Sequence, residues 1–233
     1  MYDLQDNIVA LATIPGKSAL NVVRCSGPGV AVLYKNLTGS KKTPRPNFSH
    51  LKTIYYNNII VDELMIIYFK APKSFTGQNM LEFSVHGGFL VVKKIISIIE
   101  ALGFRQAMPG EYSYRAFING KIDLIQAEAI SSIIDAGSNL DVMYSLNNLK
   151  GGLSKTIDKI LHKLENIIIH IEHELDFTED EIDYIKQEEY IEKLAVLLDN
   201  TKTILNGSYL AHENKSNLNV CLIGRTNAGK SSL

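Results

Sequence analysis

Apolar and polar positions alternate in short runs through the first half of the chain and then change to a helical repeat. Residues 9–12 and 22–25 read as brief strands, parted by Pro15 and Gly16. Residues 50–56 and 64–70 read as two more, joined across Asn57-Asn58 and Asp62-Glu63. Residues 80–85 form another, stopped by Gly87-Gly88. From Phe89 the period changes. Val91, Val92, Ile95, Ile96, Ile98 and Ile99 recur at three- and four-residue intervals up to Leu102, and Gly103 suits a C-terminal cap. Residues 126–136 and 141–150 predict two helices, the second ended at Gly151-Gly152. From Leu153, the set Ile157, Ile160, Leu161, Leu164, Ile167, Ile168 and Ile171 keeps one apolar face for about five turns. An acidic run over 176–183 reads as a connection, and residues 188–205 as another amphipathic helix, ended by Asn206-Gly207. Antiparallel helices linked in this way make a bundle.

Three regions follow from the change of pattern. Residues 1–120 mix strands and helices and predict an α+β domain. Residues 121–215 predict a helical domain. Residues 216–233 begin a third unit with a continuous apolar strand over 219–223.

Composition narrows the function classes. Lys and Arg total 24 and Asp and Glu 25, a formal charge of −1, which excludes a strongly basic nucleic-acid arm while leaving room for a local basic groove. The two cysteines, Cys25 and Cys221, lie in separate strand-like runs, which points to a reducing cytosol rather than a disulfide scaffold. The start carries Asp3 and Asp6 where a signal peptide needs bases, and no apolar run approaches the ~18 residues of a membrane span. A cytoplasmic location without membrane contact is the expectation.

The strand over 219–223 runs directly into Gly224-Arg225-Thr226-Asn227-Ala228-Gly229-Lys230-Ser231, which fits the phosphate-loop pattern G-x-x-x-x-G-K-[ST]. Glycines let the backbone point successive N–H groups at phosphate oxygens. Lys230 is expected to reach the β- and γ-phosphates, and the Ser231 hydroxyl to ligate Mg²⁺. A helix beginning near Gly229 would aim its positive end at the same oxygens. Nucleotide binding is thus expected at Asn227, Ala228, Gly229, Lys230, Ser231 and Ser232. A nucleotidase of this class needs a further Mg²⁺-organising acid and a base-reading loop. Both would fall beyond Leu233, so the expectation is a G domain cut short, without nucleotide hydrolysis by this chain alone.

Several segments together resemble the MnmE (TrmE) family of tRNA-modifying GTPases. Residues 6–16, DNIVALATIPG, are similar to the family's D-T-I-x-A-x-A-T-x-P-G, with Asn7 in place of Thr. Residues 22–27, VVRCSG, match V-R-x-S-G. Residues 75–82, FTGQNMLE, followed by His86-Gly87-Gly88, resemble Y/F-T-G-E-D-x-x-E…H-G-G, with Gln78 and Asn79 replacing two acids. The most specific block is PGEYSYRAFINGKIDLIQAEA over residues 109–129, and N-A-G-K-S-S over 227–232 agrees as well. The resemblance covers essentially the whole chain, in the family's order.

The resemblance implies an N-terminal aminomethyltransferase-like α+β domain that binds a reduced folate, as 5-formyl-tetrahydrofolate, and makes the homodimer. A helical domain follows, into which a Ras-like α/β G domain is inserted. It implies a tRNA partner and an FAD-dependent partner protein, MnmG, the FAD belonging to that partner. Together they would place a carboxymethylaminomethyl-type group on C5 of uridine 34, with a folate-derived one-carbon unit. GTP hydrolysis would be K⁺-dependent, with Asn227 as the K⁺ ligand. The folate contacts carried over are Arg24, Glu82 and Lys121. Their chemistry fits: a carboxylate accepts the adjacent N–H and NH₂ of a pterin edge, and two cations suit its carbonyl, formyl oxygen or glutamate tail. Which cation meets which group stays open. A stand-alone folate-dependent one-carbon transferase and a non-catalytic dimerisation module are the competing classes.

Other features read as structural. His170 and His173 lie three apart beside Glu174 and Asp176, as expected of the polar face of an amphipathic helix. Lys41, Lys42 and Arg45 read as a solvated loop, and His86 as a structural histidine.

Overall fold

The computed structural model describes residues 3–176 and 185–215, with the side chains of 207–215 left aside. The strand and phosphate loop expected over 219–231 lie outside the described residues, as does Ser232. The chain divides into two compact units, one up to Glu128 and one from Ala129.

The first unit is built on a six-stranded sheet of order β3-β4-β5-β2-β1-β6. Its strands are β1 (Ile8–Leu11), β2 (Leu20–Ser26), β3 (Ser49–Tyr56), β4 (Ile59–Phe69), β5 (Met80–His86) and β6 (Arg105–Gln106). All neighbours are antiparallel except β1 and β6, which run parallel because α2 (Phe89–Ala101) crosses between β5 and β6. Period-two alternation gives the sheet two unlike faces. Val23 and Cys25 of β2, Leu81, Phe83 and Val85 of β5, and Leu64, Ile66 and Tyr68 of β4 pack into one core with Leu33 and Leu37 of α1 (Val30–Thr38) and Val92, Ile95 and Ile99 of α2. The intervening positions, Arg24 on β2 and Glu82, Ser84 and His86 on β5, belong to the opposite face.

Local chemistry explains the joints. Asn57 and Asn58 have φ of 50° and 63°, so the β3–β4 turn needs two left-handed residues, which asparagine tolerates. Strand β4 therefore begins at Ile59, not residue 64, and passes through Asp62-Glu63; a bulge at Ile54/Tyr55 absorbs the irregularity. Helix α1 has glycine at its N-cap, so a distant side chain does the capping: Asn7 Oδ1 accepts from the Gly29 N–H at 2.6 Å. After α2 come α3 (Glu111–Ile118) and α4 (Leu124–Ile134). A reciprocal capping box opens α4: the Gln126 N–H donates to Asp123 Oδ1 at 2.8 Å and the Asp123 N–H to Gln126 Oε1 at 2.9 Å.

The second unit is helical: α5 (Asn139–Leu149), α6 (Gly152–Asp176) and α7 (Gln187–Lys215). Ser138 caps α5 by accepting from the Asp141 N–H at 3.1 Å. Helices α6 and α7 are antiparallel neighbours: the Tyr190 hydroxyl donates to Glu174 Oε1 at 2.9 Å, while Ile167 and Leu197 line one hollow further along. Helix α7 does not stop at Asn206-Gly207 but runs on to Lys215, so the helical hydrogen-bond pattern overrides the local turn preference of that pair. Ile167 and Leu197 are buried, whereas Leu161, Leu164, Ile168 and Ile171 of the same apolar stripe stay exposed. Among the described residues no helix is long and apolar enough to cross a membrane.

Candidate functional site

The open face of the sheet brings two of the three expected folate residues into direct contact. Arg24 and Glu82 are cross-strand partners in the β2–β5 ladder. Arg24 Nε donates to Glu82 Oε1 at 2.7 Å. Both side chains reach solvent, at 44% and 23% exposure, so the pair forms a surface feature of the sheet and not a buried bridge. Nη1 and Nη2 of Arg24 and Oε2 of Glu82 make no further hydrogen bond among the described residues. The site therefore offers two donors beside one acceptor. That combination suits a planar ligand edge carrying a carbonyl or carboxylate next to N–H groups, and a pterin edge meets it.

Lys121 is placed separately. It follows the turn that ends α3, where Gly120 takes φ +64° and the Lys121 N–H donates to the Ala116 carbonyl at 2.8 Å. Its Nζ donates to the Pro72 carbonyl at 2.9 Å. The structure thus joins Arg24 to Glu82 but does not bond Lys121 to either. What links Lys121 to the pair is the turn over residues 76–79. Lys121's side chain lies against Gly77, so that a Cβ there would stand 3.3 Å from its Cγ. Asn119 Nδ2 donates to the Thr76 carbonyl at 2.7 Å. The Thr76 and Ser26 hydroxyls meet at 2.8 Å in a buried contact, and Ser26 is two positions beyond Arg24 on the same strand.

Behind this turn lies a buried ionic cluster. Glu111 and Arg115, one turn apart on α3, are both fully buried. The Glu111 carboxylate accepts from Arg105 Nη1 and Nη2 at 2.8 and 2.7 Å, from Arg115 Nη2 at 2.8 Å, and from the Met108 N–H at 2.9 Å. Burial alone would push its pKa up, but the hydrogen bond from Arg105, joined by those from Met108 and Arg115, outweighs it and holds Glu111 at about 2. The bond to Glu111, then that to Asp6, raises the Arg105 guanidinium above its already high range. Arg115 also donates from Nη1 to the Asp6 carbonyl and to Gln78 Oε1, and from Nη2 to the Asp3 carbonyl. The cluster thus ties the start of the chain, α3 and the 76–79 turn together.

Two neighbours complete the surroundings. The Tyr112 hydroxyl donates to the Arg24 carbonyl at 2.8 Å, fixing β2 at that residue, and burial pushes the phenol's ionisation far above its usual range. Burial likewise raises the Cys25 thiol, which keeps it protonated and unreactive. His86, expected to be structural, has its backbone N–H and Nδ1 on the two oxygens of Asp62, at 3.1 and 2.6 Å.

Arg24, Glu82 and Lys121 are the candidates the resemblance supplied; of the residues that place them, Gln78 stood out only as a departure from the family's motif, and Asn119, Arg115 and Tyr112 were given no role. Gln78, Asn119, Arg115 and Tyr112 all fall inside the two most informative blocks, residues 75–82 and 109–129. Their polar spacing was the available signal. Two hollows lie elsewhere: one of about 330 Å³ beside α2, lined in part by Phe89, Lys93 and Glu100, and one of about 700 Å³ between α6 and α7. Neither includes Arg24, Glu82 or Lys121. Among the described residues no group of three or more His, Cys, Asp or Glu is placed to hold a metal ion. Asn227, Ala228, Gly229, Lys230, Ser231 and Ser232 lie outside the described residues.

Comparison with known proteins follows this layout. The family described as "GTP-binding protein TrmE N-terminus" matches residues 7–121, and "MnmE helical domain" matches residues 124–212. A protein of Marinomonas sp. named tRNA modification GTPase MnmE is 38% identical over 232 residues, covering 98% of this chain and 50% of the relative. Proteins of the same name from Legionella pneumophila and Aquifex aeolicus are 38% and 34% identical, over 98% and 99% of this chain. The chain spans about half the length of the curated relatives it matches. Consecutive matches to both family parts, with like-named relatives across nearly all of its length, place the chain in the MnmE (TrmE) family.

Proposed function

We propose that this chain is part of a cytoplasmic tRNA-modifying GTPase that works on uridine 34 with an FAD-dependent partner, MnmG. The whole protein adds a carboxymethylaminomethyl-type group at C5 of that uridine. Residues 1–120 form a folate-binding and dimerising domain, 121–215 a helical domain, and 216–233 the start of a G domain. The homodimer is made through the first of these. The reduced folate, when bound, supplies the one-carbon unit.

The observation that carries this reading is the Arg24–Glu82 pair with its outward hydrogen-bonding atoms uncommitted. Glu82 Oε2 accepts from the pterin's N–H edge, and Arg24 donates from Nη1 and Nη2 to an adjacent ligand oxygen. Lys121 supplies a second cation by exchanging the neutral Pro72 carbonyl for an anionic or formyl oxygen, a gain in charge-assisted bonding. In the G domain, Lys230 holds the β- and γ-phosphates of GTP, Ser231 ligates Mg²⁺, and Asn227 offers its carbonyl oxygen to K⁺. Hydrolysis there drives a conformational cycle.

Calorimetry tests the folate half. The protein should bind 5-formyl-tetrahydrofolate, and Glu82→Ala should lose the heat of binding. Unchanged affinity in that variant refutes the assignment. A GTPase assay of the intact protein, with Lys230→Ala as the control and Na⁺ replacing K⁺ in a parallel run, tests the other half; equal rates in all three would overturn it.

A further inference from the structure

Gln78 occupies a position that neither the pair nor the cation explains. Its Oε1 accepts from Arg115 Nη1 at 2.9 Å and from the Ser26 hydroxyl at 3.1 Å, while its Nε2 donates to the Leu4 carbonyl at 2.7 Å. One amide thus joins the chain start, the end of β2 and helix α3. A carboxylate could not do the same, because the Leu4 carbonyl needs a donor. On the other side of the same turn, Asn119 holds the Thr76 carbonyl and Lys121 lies along Gly77. Gly77 itself has φ +77°, and a Cβ there would stand 3.0 Å from the Asn119 Cβ. The turn is therefore clamped from both sides. Along β2, the alternation of side chains puts Ser26 one repeat, ~6.8 Å, beyond Arg24 on the same face. Through Ser26, Thr76 and Gly77 the clamp sets where Lys121 stands relative to the Arg24–Glu82 pair.

We propose that Gln78 and Asn119 are positioning residues that act through Lys121, fixing the distance between this cation and the Arg24–Glu82 pair and so selecting ligands that reach both. This rests on the folate reading of the three residues. The cost of ordering a lysine side chain explains why a clamp matters. A free Lys loses much rotamer entropy on binding, whereas one whose stem already lies along Gly77 has lost part of it beforehand.

A double-mutant cycle on the intact protein tests the proposal, read by the dissociation constant for 5-formyl-tetrahydrofolate. Asn119 is exposed, so Asn119→Ala should fold as the parent does; Gln78→Ala is the second variant. Each should weaken binding by about tenfold when Lys121 is present, the size expected for losing one well-placed charged hydrogen bond. Each should add no further loss to Lys121→Ala, yet add its full effect to Arg24→Ala. Equal losses with and without Lys121 would mean a merely structural role, and no loss in either variant would mean that the turn does not matter; both overturn the proposal. Failure of the parent protein to bind the ligand would instead refute the folate reading itself. Should Gln78→Ala not fold, Asn119→Ala decides alone.

Discussion

Arg24 and Glu82 stand opposite one another on antiparallel neighbours β2 and β5, and a single 2.7 Å hydrogen bond joins them on the open face of the sheet. A pair this exposed contributes little to stability. Solvent screening leaves such bridges at roughly 0–1 kcal/mol. The pair's value is then in what it displays, so stability and binding should separate. Glu82→Ala is expected to move the urea midpoint only slightly while reducing the affinity for 5-formyl-tetrahydrofolate by more than tenfold. A variant losing several kcal/mol of stability would show that the pair is structural.

Glu111 should behave in the opposite way. Its carboxylate is wholly buried and receives both guanidinium groups of Arg105 and Arg115. Its pKa is lowered from 4.5 to about 2 in the folded state. A carboxylate depressed by folding contributes stability above its unfolded pKa, and that contribution fades as the pH falls from about 4.5 through about 2. The shift corresponds to an amount on the order of 3 kcal/mol. Denaturant titrations between pH 7 and pH 2 should show this loss in the parent. In Glu111→Gln they should start lower and fall less. That substitution leaves two cations without their shared partner, and breaking a buried pair in this way costs roughly 3–5 kcal/mol.

Asn7 offers a smaller and cleaner test. Its Oδ1 substitutes for the capping side chain that Gly29 lacks at the start of α1. Asn7→Ala should cost about 1 kcal/mol, typical of a lost N-cap. Asn7→Asp keeps an acceptor and adds a negative charge at the positive end of the helix, so it should be nearly neutral or slightly stabilising. Equilibrium unfolding of the two variants should therefore differ in sign or nearly so. Equal destabilisation by both would mean that the amide nitrogen, not the oxygen, is what this position needs.

The legible part of the fold was the part written in periodicity. Strand β5 and helix α2 follow directly from the alternation of Leu81, Phe83 and Val85 and the helical spacing of Val92, Ile95 and Ile99. Helix α1 has nine residues, and its cap comes from Asn7, 22 positions earlier, so no local start signal marks it. Helix α3 carries Glu111 and Arg115 on its buried side, the reverse of an amphipathic pattern, because the two charges satisfy each other. Asp62-Glu63 looked like a turn and is strand, since the two pair with Ile54 and Thr53 of β3, and Asp62 also accepts from the His86 N–H where β4 parts from β5. The site divides in the same way. The resemblance to the family's motifs, not any local pattern, put forward Arg24, Glu82 and Lys121 as candidates. The pairing register that joins the first two, and the turn that carries the third, depend on contacts between residues 40 to 60 positions apart, which no local pattern encodes.

The adjacent glycines at 87 and 88 should respond differently to the same substitution. Gly87 continues the β2–β5 pairing past its last registered partners: the Ser18 N–H donates to the Gly87 carbonyl and the Gly87 N–H to the Ala19 carbonyl, each at 3.2 Å. The backbone of the loop before β2 passes so close that a Cβ on Gly87 would overlap the Ser18 carbonyl oxygen and carbon. Backbone atoms cannot swing aside as a side chain can, so Gly87→Ala must push that loop off the sheet. Such overpacking costs roughly 1–3 kcal/mol, with the loss of both hydrogen bonds added. A Cβ on Gly88, the N-cap of α2, would meet only Val91 Cγ2 at 3.6 Å, an ordinary contact, and its φ of −80° suits any residue. Gly88→Ala should therefore cost no more than about 1 kcal/mol, the preference for glycine over alanine at an N-cap. Urea unfolding of the two variants side by side checks this. Equal midpoints would mean that the loop over residues 12–19 yields without cost, and that the close approach at Gly87 does not constrain the sheet.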